Sequence, residues 1–274
     1  MAAMSEETGR VPRLVIVTDL DGTLLRPRTY SFATAMPALA LVKQKGIPLI
    51  LCSSKTRAEI EVYRKRLDNL HPFVSENGGG IYVPEGYFPF RASDDDRGGY
   101  QVISLGLGYQ EVRRRLIAIR DRLGIAVRGF GDMSGEEVAG LTGLTLEEAR
   151  LARQRDFTEP FVFPDQPDER FLREIEADGL HWTQGTLFQI MGNHDKGKAV
   201  DILRKLYERQ AGPITIVGIG DSLNDLQLLR AADRPVLVRK DTGRHDDRID
   251  IPGLVRTDGI GPDGWNETVQ ELLQ

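Results

Sequence analysis

The stretch Leu14-Val15-Ile16-Val17-Thr18-Asp19-Leu20-Asp21-Gly22-Thr23-Leu24 decides the fold of this chain. It opens with an apolar, largely β-branched run, which predicts a buried strand over residues 13–19. Gly22 breaks that strand, so Asp19 and Asp21 lie two residues apart at its carboxyl end. In open α/β sheets this is the end of the strands where ligands bind. The alternative to a ligand site is an ordinary polar turn after a strand. Polar groups elsewhere in the chain distinguish the ligand site from the turn.

The short spacing between Asp19 and Asp21 also has a chemical consequence. Two carboxylates this close repel and desolvate each other, which makes a purely structural role costly. The arrangement makes sense if a divalent cation is held by one acid while the other handles protons. The pair therefore predicts a metal-assisted active site at the end of the first strand.

Strands and helices alternate around this stretch. Before residue 84 the pattern predicts, in order, a strand at 13–19, a helix at 31–45, a strand at 47–52, a helix at 57–67 and a strand–turn–strand unit at 72–83. The same alternation resumes later in the chain, with a helix at 195–210, a strand at 214–220, a helix ending near 232, a strand at 235–238, a loop-rich stretch at 240–263 and a terminal helix at 264–274. Alternation of this kind predicts right-handed βαβ units. The expected fold class is α/β, a Rossmann-like parallel sheet with helices on both faces.

The sequence between these two halves has a different character, beginning near Pro84. It mixes predicted strands (100–105, 125–130, 161–163 and one or two within 181–190) with predicted helices (109–123, 145–155 and 168–178). We interpret 85–190 as an inserted α+β cap domain that selects the substrate. The expected organisation is a disordered tail at 1–12, a catalytic core at 13–84 and 191–274, and the cap between the two parts of the core.

Bulk properties exclude several classes of function. The 274 residues are 40% apolar and 28% charged, with a net charge of −5, which is ordinary for a globular protein with a sizeable core. Lys and Arg are dispersed, so neither nucleic acid nor an anionic membrane is an expected partner. The single cysteine, Cys52, favours a reducing compartment. The polar first ten residues do not resemble a signal peptide, and the expected location is the cytoplasm.

Polar residues follow several of the predicted strands, in an order that suits phosphoryl transfer: Asp19, Asp21, Ser53, Lys196, Asp221, Asn224 and Asp225. That reaction needs a nucleophile, a proton carrier, a cation site and neutralisation of the phosphoryl oxygens. Taken singly, each of these residues has an ordinary structural alternative. Ser53 could be a helix cap, Lys196 a solvated lysine and Asp221 an N-cap. Together they predict one site.

Three of these motifs resemble those of the haloacid dehalogenase superfamily. They are Asp19-x-Asp21-Gly-Thr-Leu, Asp195-Lys196-Gly197, and Gly218-Ile-Gly-Asp221-Ser-Leu-Asn224-Asp225. The resemblance implies a Mg²⁺-dependent phosphohydrolase in which Asp19 is the nucleophile and Asp21 the general acid and base. Mg²⁺ would bind Asp19, the main-chain carbonyl of Asp21, and Asp221. Ser53, Lys196 and Asn224 would contact the phosphoryl group, and Asp225 would orient Lys196 or a metal-bound water.

Further stretches resemble the mannosyl-3-phosphoglycerate phosphatase family, among them 76–82, 129–133, 141–144 and 155–161. This resemblance implies hydrolysis of mannosyl-3-phosphoglycerate to mannosylglycerate, a compatible solute. A glucosyl ester or another sugar phosphate, a phosphomutase reaction and a non-enzymatic phosphosugar sensor remain open at this point. Expected contacts with the substrate come from Lys55, Arg57, Asn77, Gly78, Asp132, Arg155 and Glu159. For each of these, a surface charge or a loop cap is an equal alternative.

Overall fold

The computed structural model describes residues 13–185 and 187–274, and the predicted tail at 1–12 lies outside them. The strands are β1 Leu14–Thr18, β2 Leu49–Cys52, β3 Phe73–Ser75, β4 Gly80–Pro84, β5 Asp96–Arg97, β6 Tyr100–Ser104, β7 Arg128–Gly129, β8 Thr158–Val162, β9 His181–Gln184, β10 Phe188–Met191, β11 Thr215–Gly220, β12 Arg234–Arg239 and β13 Val255–Ile260. The α-helices are α1 Met36–Gln44, α2 Arg57–Leu67, α3 Tyr109–Leu123, α4 Gly135–Thr142, α5 Leu146–Ala152, α6 Glu169–Ala177, α7 Lys196–Ala211, α8 Leu226–Ala231 and α9 Pro262–Leu273.

A nine-stranded sheet forms the centre of the larger unit, in the order β13-β12-β11-β1-β2-β3-β4-β6-β5. The six strands from β13 to β3 are parallel, and β4, β6 and β5 extend one edge in antiparallel pairing. The chain moves outward from β1 in one direction through β2 and β3, and in the other from β11 to β13. Ligands bind at such a reversal point, at the carboxyl ends of the strands.

Helices cover both faces of this sheet, which confirms the predicted α/β fold class. On one face, buried side chains of α1, α2 and α9 pack against the sheet, with Trp265 fully buried. On the other face, α7 and α8 contribute buried residues such as Leu203, Tyr207 and Leu228. The two apolar layers fix the parallel strands in place. Their carboxyl ends therefore form a rigid floor for a site.

A second, four-stranded antiparallel sheet has the order β7-β8-β10-β9. Helices α3 and α6 cover one of its faces, and Leu116, Phe171 and Ile175 from these helices join a separate buried cluster with Phe161 and Ile190 of the sheet. Helices α4 and α5 pack against each other in a smaller cluster. The inserted segment thus has a hydrophobic core of its own.

The structure differs from the sequence-based description at two sheet edges. Residues 96–104, placed in the cap by composition, pair with β4 as part of the large sheet. Strand β13 lies in the stretch 240–263 that was expected to be loop-rich. Its burial pattern shows one buried residue, Thr257, so its sequence has little of the apolar character that predicts a strand. Among the described helices, none combines the length and apolar composition that a bilayer crossing requires.

Candidate active site

The pairing of β1 with β11 brings the two main acidic motifs together. Thr18 lies opposite Ile219, so both strands end at the same level and the next residues are Asp19 and the Gly220–Asp221 step. Carboxylate oxygens of Asp19, Asp221 and Asp225 all lie within 4.8 Å of one another, and all three residues are buried. Three of the four acids predicted from the sequence therefore form one cluster.

Lys196 lies beneath this cluster and is almost fully buried. Its Nζ donates to Asp19 Oδ1 at 2.6 Å and to Asp225 Oδ1 at 2.6 Å. The other oxygen of Asp225 accepts hydrogen bonds from the backbone N–H groups of Asp221, at 3.0 Å, and Ser222, at 3.2 Å. Both oxygens of Asp225 are thereby occupied, which fits a residue that holds Lys196 in position.

Burial dominates the electrostatics of the cluster. Burial, and then the Asp225 carboxylate, raise the pKa of Asp19 well above its usual range, although the Lys196 ammonium opposes this. The same two causes raise the pKa of Asp221 to about 7. Burial alone lowers the pKa of Lys196, but Asp19 and Asp225 outweigh it and the net shift is upward. Three carboxylates with one ammonium leave an excess of negative charge, which a bound cation would neutralise.

The donor set fits a divalent metal ion. The oxygens of Asp19 and Asp221 are carboxylate oxygens, the ligand type that Mg²⁺ prefers. Gly22 has φ +83°, and a Cβ there would lie 2.8 Å from Asp221 Oδ2. A glycine at this position therefore leaves the Asp221 carboxylate room beside the first motif.

Asp21 differs from Asp19 in being exposed to the space above the cluster. Its side chain is 40% exposed, and its Oδ2 lies 3.0 Å from the Nζ of Lys55. Lys55 is itself buried and lies 3.7 Å from Glu59 Oε1. Burial lowers the pKa of Lys55, whereas Asp21 and Glu59 raise it, with a net upward shift. A partly solvated carboxylate next to a fixed ammonium can exchange protons with a bound molecule.

The remaining predicted phosphate contacts lie around the same floor. Ser53 follows β2 and is fully buried, and its Oγ accepts from the backbone N–H of Lys55 at 3.3 Å. Asn224 lines the cavity above the acids, and its Oδ1 accepts from Ser222 Oγ at 2.6 Å. Both residues lie at the carboxyl ends of parallel strands, as the sequence predicted.

A cavity of about 610 Å³ lies between the acidic floor and the second sheet. Pro160, Gln189 and Thr183 are cross-strand neighbours in β8, β10 and β9, and all three line it. Gln189 also accepts a hydrogen bond from Asn77 Nδ2 at 3.0 Å. One face of the cap sheet is therefore a wall of the site, and the amide and hydroxyl groups on it are of the kind that bind sugar hydroxyls.

The seven residues predicted to contact the substrate divide into two groups. Lys55, Asn77 and Arg155 line the cavity. Four others lie outside its lining: Arg57, Gly78, Asp132 and Glu159.

Each of these four is engaged in local structure. Arg57 pairs with Glu61 at 3.2 Å. Glu159 has no exposed surface and accepts from Arg113 Nη1 at 2.8 Å and from the Gly131 N–H at 2.9 Å.

Arg113 also pairs with Asp132, so that acid belongs to the same cap network. Gly78 has φ +97°, and a Cβ on it would collide with the Asp195 carbonyl oxygen. Packing therefore accounts for the type of residue at these positions.

Several lining residues were not predicted, among them Arg28, Tyr30, Glu59, Gln189 and Lys240. Glu59 had a detectable signal, because Thr56-x-x-Glu59 is a capping box and both of its hydrogen bonds form at the start of α2. Gln189 had a weaker sequence signal, because it is a polar residue between the apolar Phe188 and Ile190 of a strand. The others lie in loops without local periodicity, where no sequence signal was present.

Comparisons with known proteins show which family the chain is similar to. The family described as haloacid dehalogenase-like hydrolase matches residues 16–90. A glucosyl-3-phosphoglycerate/mannosyl-3-phosphoglycerate phosphatase from Methanococcoides burtonii is 43% identical over 94% of this chain and 97% of its own length. A mannosyl-3-phosphoglycerate phosphatase from Pyrococcus horikoshii is 37% identical over 82% of this chain and 90% of its own.

Solved structures share the fold at lower identity. A Thermoplasma acidophilum protein superposes with a TM-score of 0.70 at 18% identity, covering 96% of this chain and 100% of its own. The sucrose-phosphatase of a Synechocystis species, solved with sucrose and phosphate, gives a TM-score of 0.61 at 15% identity, covering 95% and 98%. At these identities the likeness concerns the fold alone.

Proposed function

We propose a function from one premise: the chain belongs to the mannosyl-3-phosphoglycerate phosphatase family of haloacid dehalogenase-like hydrolases. Membership makes it a phosphoric monoester hydrolase. The proposal is that it hydrolyses a glycosyl-3-phosphoglycerate, mannosyl or glucosyl, to the glycosylglycerate and inorganic phosphate. The observation that carries it is the cluster of Asp19, Asp221, Asp225 and Lys196 on the floor of a cavity that the cap sheet covers.

In the proposed first step, an oxygen of Asp19 attacks phosphorus and the bond to the glycerate oxygen breaks. Asp21 donates a proton to that leaving oxygen. The product of this step is an aspartyl-phosphate on Asp19. The position of Asp21 supports this role, because its partly exposed side chain lines the cavity together with Asp19.

In the proposed second step, water attacks the phosphorus of the aspartyl-phosphate. Asp21, now deprotonated, takes the proton from the water, and the bond between phosphorus and Asp19 breaks to release inorganic phosphate. Ser53, Lys196 and Asn224 are proposed to neutralise the phosphoryl oxygens. Asp225 keeps the Lys196 ammonium under them through its 2.6 Å contact.

We propose Mg²⁺ as the divalent cation, held by the Asp19 and Asp221 carboxylates and the main-chain carbonyl of Asp21. When bound, Mg²⁺ would lower the charge repulsion between the phosphate and the acidic floor. Lys55, Asn77 and Arg155, which line the cavity, are proposed neighbours of the leaving group. A cytoplasmic location is also proposed, in keeping with the buried free thiol of Cys52.

A phosphate-release panel with Mg²⁺ tests the function. It compares mannosyl-3-phosphoglycerate, glucosyl-3-phosphoglycerate, sucrose 6-phosphate, glucose 6-phosphate and p-nitrophenyl phosphate. We expect the two glycosyl-phosphoglycerates to have the highest kcat/KM, by about tenfold or more, since a site built for extra polar groups discriminates at this level. A higher kcat/KM for any other ester would overturn the assignment. Stoichiometric release of phosphate also excludes a mutase.

A further inference from the structure

The proposed substrate carries a carboxylate as well as a phosphate, so the cavity has to supply a cation for it. In the part of the chain that the structure describes, five cationic side chains line the cavity: Arg28, Lys55, Arg155, Lys240 and Arg248. A cation that is already bound to a carboxylate or carbonyl oxygen of the protein is less available to the substrate. Lys55 is occupied, since its Nζ lies between Asp21, at 3.0 Å, and Glu59, at 3.7 Å.

Arg155 is occupied as well. Its Nε donates to the Ala152 carbonyl at 2.7 Å, and its Nη1 donates to the Ser54 carbonyl at 2.9 Å and approaches Thr158 Oγ1 at 3.4 Å. Its Nη2 lies 4.0 Å from Glu59 Oε2. The guanidinium is nearly buried, with 6% of the side chain exposed. These contacts tie the cap to the loop after β2 and leave little of the group for a ligand.

The two cations of the loop after β12 share one acid. Lys240 Nζ lies 2.9 Å from Asp246 Oδ2, and Arg248 donates to both oxygens of Asp246, at 2.8 and 2.7 Å. These hydrogen bonds, above all those from Arg248, lower the pKa of Asp246 and keep it charged. Each of the two cations therefore already has a carboxylate partner, although the group of three keeps one net positive charge.

Arg28 is the exception among the cavity-lining cations. Within residues 13–185 and 187–274, it has no carboxylate oxygen within 4.0 Å, and its side chain donates no hydrogen bond. It is exposed, so its guanidinium is free for a ligand in the cavity. A guanidinium binds a carboxylate through two parallel hydrogen bonds, which an ammonium cannot do.

The loop that carries Arg28 is held by hydrogen bonds and has a strained backbone. Arg28 and Tyr30 both have left-handed backbone conformations, with φ values of 66° and 51°. Two backbone hydrogen bonds close the loop, from Tyr30 N–H to the Arg26 carbonyl and from Arg26 N–H to the Ser31 carbonyl, each 2.9 Å. Strained non-glycine residues persist where the surrounding structure holds them, and they concentrate at ligand sites.

Two further contacts fix this loop against the rest of the molecule. Arg26 pairs with Asp263 of α9 at 2.5 Å. The ring of Tyr30 lies 4.8 Å from Lys55 Nζ, measured to the ring centroid. Arg28 therefore extends from a loop anchored both to a core helix and to the residues that surround Asp21.

We propose that Arg28 binds the carboxylate of the substrate and so determines the preference for glyceric acid esters. This deepens the proposed function and rests on it. In this assignment Lys55 and Arg155 organise the site, and the recognition of the carboxylate belongs to the loop between β1 and α1. The ligand class is a carboxylate located next to a phosphate ester.

The test compares wild-type protein with Arg28→Gln, Arg28→Lys and the control Arg91→Gln. Arg91 is a half-exposed arginine that lies outside the cavity lining and pairs with Asp96 at 2.9 Å. For Arg28→Gln we expect kcat/KM for glucosyl-3-phosphoglycerate to fall by about tenfold or more, as for a lost charged hydrogen bond. Hydrolysis of p-nitrophenyl phosphate, which has no carboxylate, should stay within about twofold. The loss of kcat/KM should be smaller for Arg28→Lys, and Arg91→Gln should keep the wild-type kcat/KM.

A second measurement does not require the glycosyl ester. It compares 3-phosphoglycerate and glycerol 3-phosphate, which differ in one carboxylate, as inhibitors of p-nitrophenyl phosphate hydrolysis. We expect wild type to bind 3-phosphoglycerate more tightly and Arg28→Gln to lose that preference. Equal losses on all substrates, or an unchanged preference, would overturn the role of Arg28. Wild-type protein that keeps the preference but fails to hydrolyse either glycosyl-3-phosphoglycerate would overturn the proposed function instead.

Discussion

Asp19 is the residue on which the proposed chemistry depends most directly. It is 4% exposed, and Lys196 is its hydrogen-bond partner at 2.6 Å. Asparagine has the same shape and can still accept from Lys196, but it is not a nucleophile towards phosphorus. We expect Asp19→Asn to lower kcat by about a thousandfold or more, as removal of a nucleophile does, while the thermal midpoint changes little.

The matched control for this prediction is Asp241→Asn. Asp241 also lines the cavity but lies outside the cluster of Asp19, Asp221 and Asp225. Phosphate release by this control should remain near the wild-type rate. Retention of more than about a tenth of wild-type activity by Asp19→Asn would mean that another group attacks phosphorus.

Arg155 is expected to act on every substrate alike. Its guanidinium joins the Ala152 and Ser54 carbonyls, and Ser54 follows the proposed phosphate ligand Ser53. Hydrogen bonds from a charged group contribute about 1.5–3 kcal/mol. Arg155→Gln should therefore lower kcat/KM by about ten- to a hundredfold for the glycosyl ester and for p-nitrophenyl phosphate. Arg153→Gln, an exposed neighbour, is the control, and a loss confined to the glycosyl ester would instead indicate direct contact with the leaving group.

At the residue scale, the sequence predicted the acidic cluster and Lys196 but missed many of the residues that line the cavity above them. Asp19, Lys196 and Asp221 could be found because each lies beside an apolar strand or helix whose position in a parallel sheet follows from topology. Arg28 could not be found in this way. An arginine in a polar loop has no local signal, and only the folded arrangement shows which cations of the cavity are already paired.

At the scale of elements, the structure differs from the sequence-based description towards the two edges of the large sheet. Strand β6 was predicted as a strand at 100–105 but assigned to the cap, and it pairs with β4 and β5 in the large sheet. Strand β13 pairs with β12 through an irregular register between Leu237 and Arg239. Strand β13 is an edge strand with one unpaired side and one buried residue, so its composition resembles that of a loop. The central strands could be predicted because both of their faces are buried.

A chain of hydrogen bonds joins two loop residues, His71 and Tyr87, to Tyr207 of α7, and we expect it to make the stability depend on pH. His71 Nδ1 lies 2.7 Å from the Tyr87 hydroxyl, which lies 2.8 Å from the Tyr207 hydroxyl of α7. Burial, and then Arg64, lower the pKa of His71 to about 4 from 6.5. The unfolded state therefore binds a proton more readily between these values. The contribution of neutral His71 is fully present above pH 6.5 and is lost progressively as the pH falls from 6.5 to about 4.

We expect His71→Asn to reduce the loss of stability between pH 7 and pH 4.5, by at most about 3 kcal/mol. Asparagine can replace the Nδ1 contact with Tyr87 but does not titrate. Urea unfolding at the two pH values measures the difference. His181→Gln is the control, because His181 is exposed in β9. If the stability of His71→Asn depends on pH as in the wild type, His71 is not the source of the pH dependence.

On the scale of the whole molecule, the site belongs to neither unit alone. The sheet of the core provides the acidic floor, and the cap sheet provides the wall with Gln189 and Thr183. Contacts between the units converge on the loops after β2 and β3. Glu76, for example, accepts hydrogen bonds from the backbone N–H groups of Asp156, Phe157 and Thr158. We therefore propose that substrate specificity and catalysis are coupled through the boundary between the two units.

The acidic cluster also couples metal binding to the stability of the whole fold. Without a cation, burial and Asp225 raise the pKa of Asp221 to about 7, so protons compete with a metal ion for this carboxylate. A ligand that binds only the folded state at about a hundred times its Kd adds about 2.7 kcal/mol. For a chain of this size that corresponds to a rise in the thermal midpoint of roughly 5–10 °C.

We therefore expect Mg²⁺ to raise the thermal midpoint, and the concentration required to be higher at pH 6 than at pH 8, because Asp221 is largely protonated at the lower pH. Thermal unfolding across a Mg²⁺ titration at both pH values measures this without any assay of activity. Asp221→Asn should lose most of the shift, whereas Asp241→Asn, which leaves the cluster intact, should keep it. A full shift in Asp221→Asn would exclude that carboxylate as a metal ligand, and full phosphatase activity in excess chelator would exclude the metal itself.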